Sequence, residues 1–194
     1  VVSAAAVGGM RVVAGDAAVI RESWEVPERF SVLFDRYSRE IHRYAARRLG
    51  ADAVALADDV TAETFLVAFR KRGRYDLRRE DARPWLYGIA ANLIAKHRRT
   101  ETRRLRALAR VTGPDGEAFE ERSVARIDAR ELQPRLAAAL AGLKAREREL
   151  FLLVAWAELS YEDAAVALGI PVGTVRSRLS RTRAKIRRAL GESR

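Results

Sequence analysis

The chain has no cysteine. That excludes disulfides, thiolate nucleophiles and cysteine-held zinc. Histidine is nearly absent as well: His42 and His97 are the only two, and no carboxylate cluster stands beside either at metal-ligand spacing. Each reads as a helix-surface residue, and neither a metal nor another cofactor is expected. There is no Gly-rich phosphate loop and no nucleophile–base signature, so no catalytic residue is assigned and no small-molecule substrate is expected. No apolar run is long enough to span a bilayer, and no segment needs a β-strand. Acidic residues are outnumbered: 37 Lys and Arg face 26 Asp and Glu, a formal charge of +11, and Arg greatly outnumbers Lys. Such an excess points to a polyanionic partner, nucleic acid ahead of a membrane surface. These absences describe a cytoplasmic binding protein, not an enzyme.

What is present is organised around residues 160–190, SYEDAAVALGIPVGTVRSRLSRTRAKIRRAL. Ser160 can cap a short helix, with Asp163 three residues on. Ala164, Ala165 and Leu168 form its apolar side. Gly169 supplies the backbone freedom for a sharp turn, and Pro171 suits the start of a second helix. There Val172, Val175, Leu179, Thr182, Ile186 and Leu190 fall on one seam. The other side carries Thr174, Arg176, Ser177, Ser180, Arg181, Arg187 and Arg188. A small residue four before the turn glycine and a β-branched one six after it is helix-turn-helix spacing.

Upstream, residues 1–24 are Ala, Val and Gly rich. Arg11 and Asp16 interrupt the apolar stretch and no basic start precedes it, so a disordered leader fits better than a signal peptide. Residues 27–49 predict a helix with Phe30, Leu33, Phe34, Tyr37, Ile41 and Tyr44 as its core stripe. Residues 52–72 predict a second, apolar on two sides, with Asp59 and Glu63 one turn apart on the polar strip. Those two carboxylates are either a solvated face or a docking spot for a basic partner. A polar loop, GRYDLRREDAR, leads to Pro84 and a third helix, WLYGIAANLIAKHRR. Ala90 and Ala91 permit close packing there, Asn92 is a polar residue inside the apolar run, and a dense arginine tail follows. The pattern breaks at Gly113-Pro114 and Asp115-Gly116, where acidic residues collect. Helical periodicity returns with Leu132, Leu136, Leu140 and Leu143, then Leu150, Phe151, Leu153, Val154 and Trp156, which can cover the seam of the helix-turn-helix. The fold class is therefore all-α: two small helical domains joined by a flexible linker. The divisions are a leader over 1–24, a first domain over 25–106, an acidic linker over 107–130 and a second domain over 131–194.

Two blocks resemble one family. FSVLFDRYSREIHRYAARR, DDVTAETFLVAF and RPWLYGIAANLIAKHRR resemble region two of bacterial RNA polymerase sigma factors. LKARERELFLLVAWAELSYEDAAVALGIPVGTVRSRLSRTRAKIR resembles their region four. The order, with a linker and no region three, is similar to the extracytoplasmic-function group. The resemblance implies a factor that binds core RNA polymerase, directs it to promoters through −10 and −35 recognition, and assists DNA melting. It implies docking of Asp59 and Glu63 on the clamp helices of the largest subunit, with Ala62 where the family has glutamine. The loop over 75–83, from Tyr75 to Arg83, matches the segment that captures an unstacked −10 base. Trp85 matches an aromatic at the melting edge, though a core anchor reads equally well. Asn92 matches a −10 strand contact, and Arg98 and Arg99 match backbone-phosphate contacts. Thr174, Arg176, Ser177, Ser180 and Arg181 fall on the face that meets the −35 element, with the polymerase flap as a further partner. An anti-sigma protein is a partner class the group often has. The alternative function is a stand-alone helix-turn-helix regulator on operator DNA, which leaves residues 27–106 without a purpose.

Overall fold

The computed structural model describes residues 14–49, 53–112 and 134–191, and every regular element among them is helical. In chain order they are α1 (Asp16–Glu22), a 3₁₀ turn (Pro27–Phe30), α2 (Ser31–Leu49), α3 (Val54–Lys71), a second 3₁₀ turn (Arg72–Arg74) and α4 (Arg83–Thr112). After the linker come α5 (Pro134–Ala141), α6 (Ala145–Ala155), α7 (Tyr161–Leu168) and α8 (Val172–Leu190).

In the first block α2 and α4 cover α3 from two directions, as its two apolar sides require. Leu33, Ile41, Tyr44 and Ala45 of α2 are buried with Ala57, Val60, Phe65 and Ala68 of α3 and Leu86, Tyr87, Ala90 and Ile94 of α4. Edge-to-face aromatic pairs lock α3 in place: Phe30 on Phe69 at 5.5 Å and Phe34 on Phe65 at 5.0 Å between centroids. Phe34 is not core, however; it touches Phe65 with one edge and leaves 44% of its surface exposed. The buried threonines of α3 keep their hydroxyls satisfied by donating one turn back, Thr61 to the Ala57 carbonyl and Thr64 to that of Val60.

The leader is ordered where it is described, contrary to the sequence reading. Residues 16–22 form α1, whose Ala17, Val19 and Ile20 sit in the core. Seven residues are too few for periodicity to announce a helix, and burial supplies the stability that length does not. Residues 1–13 lie outside the described residues. At the other end of the block α4 runs on to Thr112, so the segment read as linker begins in helix. Asp115, Glu117, Glu120 and Glu121 lie outside the described residues.

In the second block the turn forms as its residues dictate. The Ser160 hydroxyl accepts from the Asp163 amide at 3.0 Å and donates to the Asp163 carboxylate at 2.7 Å. Gly169 adopts φ 62°, and the Ile170 and Gly169 amides close back on the Ala165 and Val166 carbonyls, a Schellman end. Pro171 sits one residue ahead of α8 as its cap. Val175, Leu179, Thr182 and Ile186 are the buried seam of α8. α5 and α6 cover it, with Ala139, Leu140 and Leu143 of the α5 end against Ile186.

The two blocks share a core. α7 lies on α4, and Leu150, Leu153, Ala164, Ala165 and Ala167 join the cluster that holds Tyr87 and Ile94. Small residues make this approach possible. A Cβ on Gly88 of α4 would stand 2.5 Å from the Ala167 carbonyl oxygen of α7, so no side chain fits there.

Candidate polymerase and nucleic-acid interfaces

On α3, Asp59 is exposed and Glu63 half-exposed. Glu63 is drawn toward α4, with Lys96 at 3.9 Å and the His97 imidazole at 3.6 Å. Asp58, beside Asp59, meets His42 of α2 at 3.0 Å. Exposed pairs of this kind contribute little to stability, which leaves the strip available to a partner. The same face presents Ala62 and Leu66, and Leu66 is 47% exposed. Acid beside an exposed leucine makes a composite surface that residue spacing alone does not assemble.

The loop before α4 is held from inside. Tyr75 is buried, its ring 5.0 Å from that of half-buried Trp85. The Tyr75 hydroxyl donates to the Arg79 and Asp81 carbonyls at 2.7 and 3.1 Å, and burial pushes its pKa above the usual tyrosine value. This ring is therefore a pillar of the loop, not a free stacking surface. Arg83 is paired with Asp81 at 2.8 Å, and Arg78 with Asp76 at 2.9 Å. The tip residues Arg78, Arg79 and Glu80 are exposed.

Further along α4, Asn92 and Arg99 are exposed. With Arg98 they line a cleft of about 990 Å³ whose far wall holds Arg146, Arg148 and Arg178. Arg98 is mostly withdrawn from it: its guanidinium donates to the Arg48 carbonyl. Burial, then the neighbouring Arg48 and Arg148 charges, push the Arg98 pKa down to about 10, which leaves it charged near neutrality. Of the two phosphate candidates, Arg99 is thus the accessible one.

Beneath the cleft is a buried polar knot. Glu149 accepts from the Tyr44 hydroxyl and from the Arg48 guanidinium. Arg148 spans the end of α5, donating to the Leu140, Ala141 and Leu143 carbonyls at 2.7, 2.5 and 2.9 Å. A guanidinium suits that position, where helix carbonyls are otherwise unpaired. Three guanidiniums thus surround one carboxylate, and Arg48 Nε and Nη1 and Arg148 Nη1 have no hydrogen-bond partner among the described residues. Nothing in the sequence paired Arg48 with Glu149, because they lie 101 residues apart.

The candidate recognition face of α8 is open. Arg176, Ser177, Ser180 and Arg181 are exposed, and Thr174 is half-buried. Arg176 reaches Glu162 at 3.5 Å, a loose surface pair, and Arg181 Nε donates back to the Ser177 carbonyl at 3.2 Å. Lys185, behind this face, is held by Glu147 at 2.7 Å, and that hydrogen bond keeps the Glu147 carboxyl below its usual range. Among the described residues no helix is long and apolar enough to cross a membrane, and no cluster of His, Cys, Asp or Glu could hold a metal.

Comparison with known proteins follows the same division. Residues 33–104 match the model for sigma-70 region 2, and residues 134–186 the model for sigma-70 region 4. The extracytoplasmic-function RNA polymerase sigma factor SigC of Mycobacterium tuberculosis (strain CDC 1551 / Oshkosh) is 38% identical over 132 residues, 67% of this chain and 68% of its own. SigL of M. tuberculosis (strain ATCC 25618 / H37Rv) is 34% identical over 147 residues, 76% of this chain and 80% of its own. Among solved structures, the sigma factor RpoE in complex with the anti-sigma factor NepR, from Bartonella quintana, aligns with TM-score 0.60 at 23% identity, over 85% of this chain and 98% of that one. CnrH in complex with the cytosolic domain of CnrY aligns with TM-score 0.61 at 23% identity, over 92% of this chain and 99% of that one. At that identity the likeness speaks for the fold. Both regions match in order, and relatives share a third or more of their residues over most of their length, so the chain belongs to the sigma-70 family of bacterial RNA polymerase sigma factors, in its extracytoplasmic-function group.

Proposed function

We propose that the chain carries out the family's task, promoter-directed initiation, through three surfaces. Asp59 and Glu63, with Leu66 beside them, dock on a basic face of the polymerase clamp. The 75–83 loop, Trp85, Asn92 and Arg99 take the non-template strand of the −10 element, with Arg98 held in reserve under Arg48. Thr174, Arg176, Ser177, Ser180 and Arg181 meet the −35 duplex while region four rests on the flap. The observation that carries this reading is the open, polar face of α8, mounted by the Gly169 turn on a first domain of the matching family.

The physical logic is a two-point grip. A recognition helix meets base edges of the major groove near its start, where Arg176 stands, and Arg181 is exposed near mid-helix. Unstacking a base costs a few kcal/mol, offset by stacking and pocket contacts in the first domain. Two modest contacts on one enzyme gain from effective concentration, so neither need be tight alone. The chain itself performs no chemistry; bond formation belongs to the polymerase. A factor that works on bacterial polymerase works in the cytoplasm. An anti-sigma protein over one of these surfaces is the regulator that fits this group.

The docking surface has a direct test. Glu63→Lys reverses a charge on the strip and should weaken binding to core polymerase by roughly tenfold, about 1.4 kcal/mol. The loss should shrink as salt rises, because the contact is exposed. Titration of labelled protein against core enzyme at two salt concentrations reads both. Unchanged affinity at low salt removes this residue from the interface.

A further inference from the structure

The family model begins at residue 33, yet α1 lies against the loop that precedes α4. Asp16, at the start of α1, is 3% exposed. Its carboxylate accepts three hydrogen bonds: from Arg36 Nη1 at 2.6 Å, from the Tyr37 hydroxyl at 2.6 Å and from the Ala82 amide at 2.8 Å. Its own amide donates to the Glu80 carbonyl at 3.2 Å. Arg36 also grips α1 through the Ala14 carbonyl at 2.8 Å. At the other end of α1 the Ser23 carbonyl accepts from Arg72 Nε at 3.3 Å, close to where the loop begins.

These contacts interlock with those of Tyr75. The Tyr75 hydroxyl holds the carbonyls of Arg79 and Asp81; Asp16 holds the carbonyl of Glu80 and the amide of Ala82. Four consecutive residues thus have a backbone group fixed by one of two buried side chains or by the first amide of α1. The tip itself, with Arg78, Arg79 and Glu80, stays exposed. A loop whose backbone is fixed while its tip side chains stay exposed is preorganised: it spends little ordering entropy when it meets a ligand.

We propose that Asp16 is a positioning residue for −10 recognition: through α1 it sets the shape of the 75–83 loop, and so determines which base the loop accepts. This rests on the reading of that loop as the base-capturing element. Asp16 does not itself touch DNA. Its effect is on selectivity among bases, because a loop that wanders binds every base somewhat and none well.

The test uses holoenzyme reconstituted from core polymerase and the full chain, titrated with fluorescent single-stranded −10 oligonucleotides in which each base in turn is replaced or made abasic. Asp16→Asn keeps the shape but cannot accept all three hydrogen bonds. Tyr37→Phe removes one hydroxyl and is the milder second variant if the first folds poorly. Arg29→Ala breaks only the exposed Glu22 pair at 2.7 Å and serves as a control on α1. Wild type and Arg29→Ala should discriminate at one position, and Asp16→Asn and Tyr37→Phe should flatten that preference, Asp16→Asn by about tenfold, the size of a charge-assisted hydrogen bond. Core binding should be unchanged. Full base preference in both variants overturns the proposal, as does a uniform loss of affinity with the preference intact. A wild-type holoenzyme indifferent to every −10 base instead overturns the reading of the loop, and the proposal with it.

Discussion

Replacing Glu149 by glutamine is expected to destabilise the packed arrangement by about 3–5 kcal/mol, the cost of leaving a buried charge without its partner. Arg48 is 3% exposed and Arg148 2% exposed, and Arg98 lies against them. Glu149 is the carboxylate that holds this group together. Glutamine keeps the shape and still accepts from Tyr44 or Arg48, but it removes the negative charge. The three guanidiniums then repel one another in a poorly hydrated space. Arg98 and Arg148, already pushed down to about 10 by burial and then by Arg48, show how little compensation exists even with Glu149 present. Urea unfolding should show the loss in its midpoint, and small-angle scattering should show a larger radius of gyration as α7 leaves α4. The paired replacement of Arg48 and Glu149 by Met and Leu should recover much of the loss, since an apolar pair avoids the desolvation cost. A Glu149→Gln protein as stable and as compact as wild type would show that the knot does not hold the blocks together.

The second large effect is expected at the recognition helix. Arg176→Ala with Arg181→Ala should cut transcription from a promoter with a matched −35 element by roughly 100-fold. An arginine that reads guanine bidentately contributes about 1–3 kcal/mol of discrimination. The two residues have no direct contact in the structure, since Arg176 faces Glu162 and Arg181 bonds the Ser177 carbonyl, so their effects should roughly add. Neither substitution disturbs the fold, because the seam is carried by Val175, Leu179, Thr182 and Ile186 on the opposite side. Core binding should therefore be kept. Scoring the double variant on promoters with altered −35 bases separates the roles: a base reader loses its preference at one position, whereas a phosphate contact weakens all sequences alike and lowers the salt slope by about 1. Unchanged −35 dependence would remove α8 from promoter recognition.

The second domain was the most legible part of the chain. Ser160, Gly169 and the α8 seam are local signals, and each one acts where it stands. α3 was legible for a similar reason: apolar residues on two sides need two neighbours, and α2 and α4 supply them. What escaped the sequence depends on contacts between distant residues. Asp16 looked like a polar break in an apolar leader; it is buried because Arg36, Tyr37 and the Ala82 amide converge on it. Tyr75 is in the segment the resemblance associates with base capture, but its ring supports the loop from below. Arg98 and Arg99 are neighbours of the same type, and only the packing of α2 and α6 shows that one is withdrawn and the other open. Ala90 and Ala91 pointed to close packing on α4, but the closest approach is at Gly88, against the Ala167 carbonyl of α7.

The central claim, that this chain confers promoter choice on polymerase, is tested most directly by run-off transcription. Core enzyme, the full chain and a library of promoter fragments are combined, and the transcripts are sequenced for their start sites. Discrete starts downstream of shared −10 and −35 sequences, absent with core alone and with the chain alone, are the expected result. A chain that adds no promoter-dependent starts, and that instead binds a duplex operator tightly without polymerase, would contradict it.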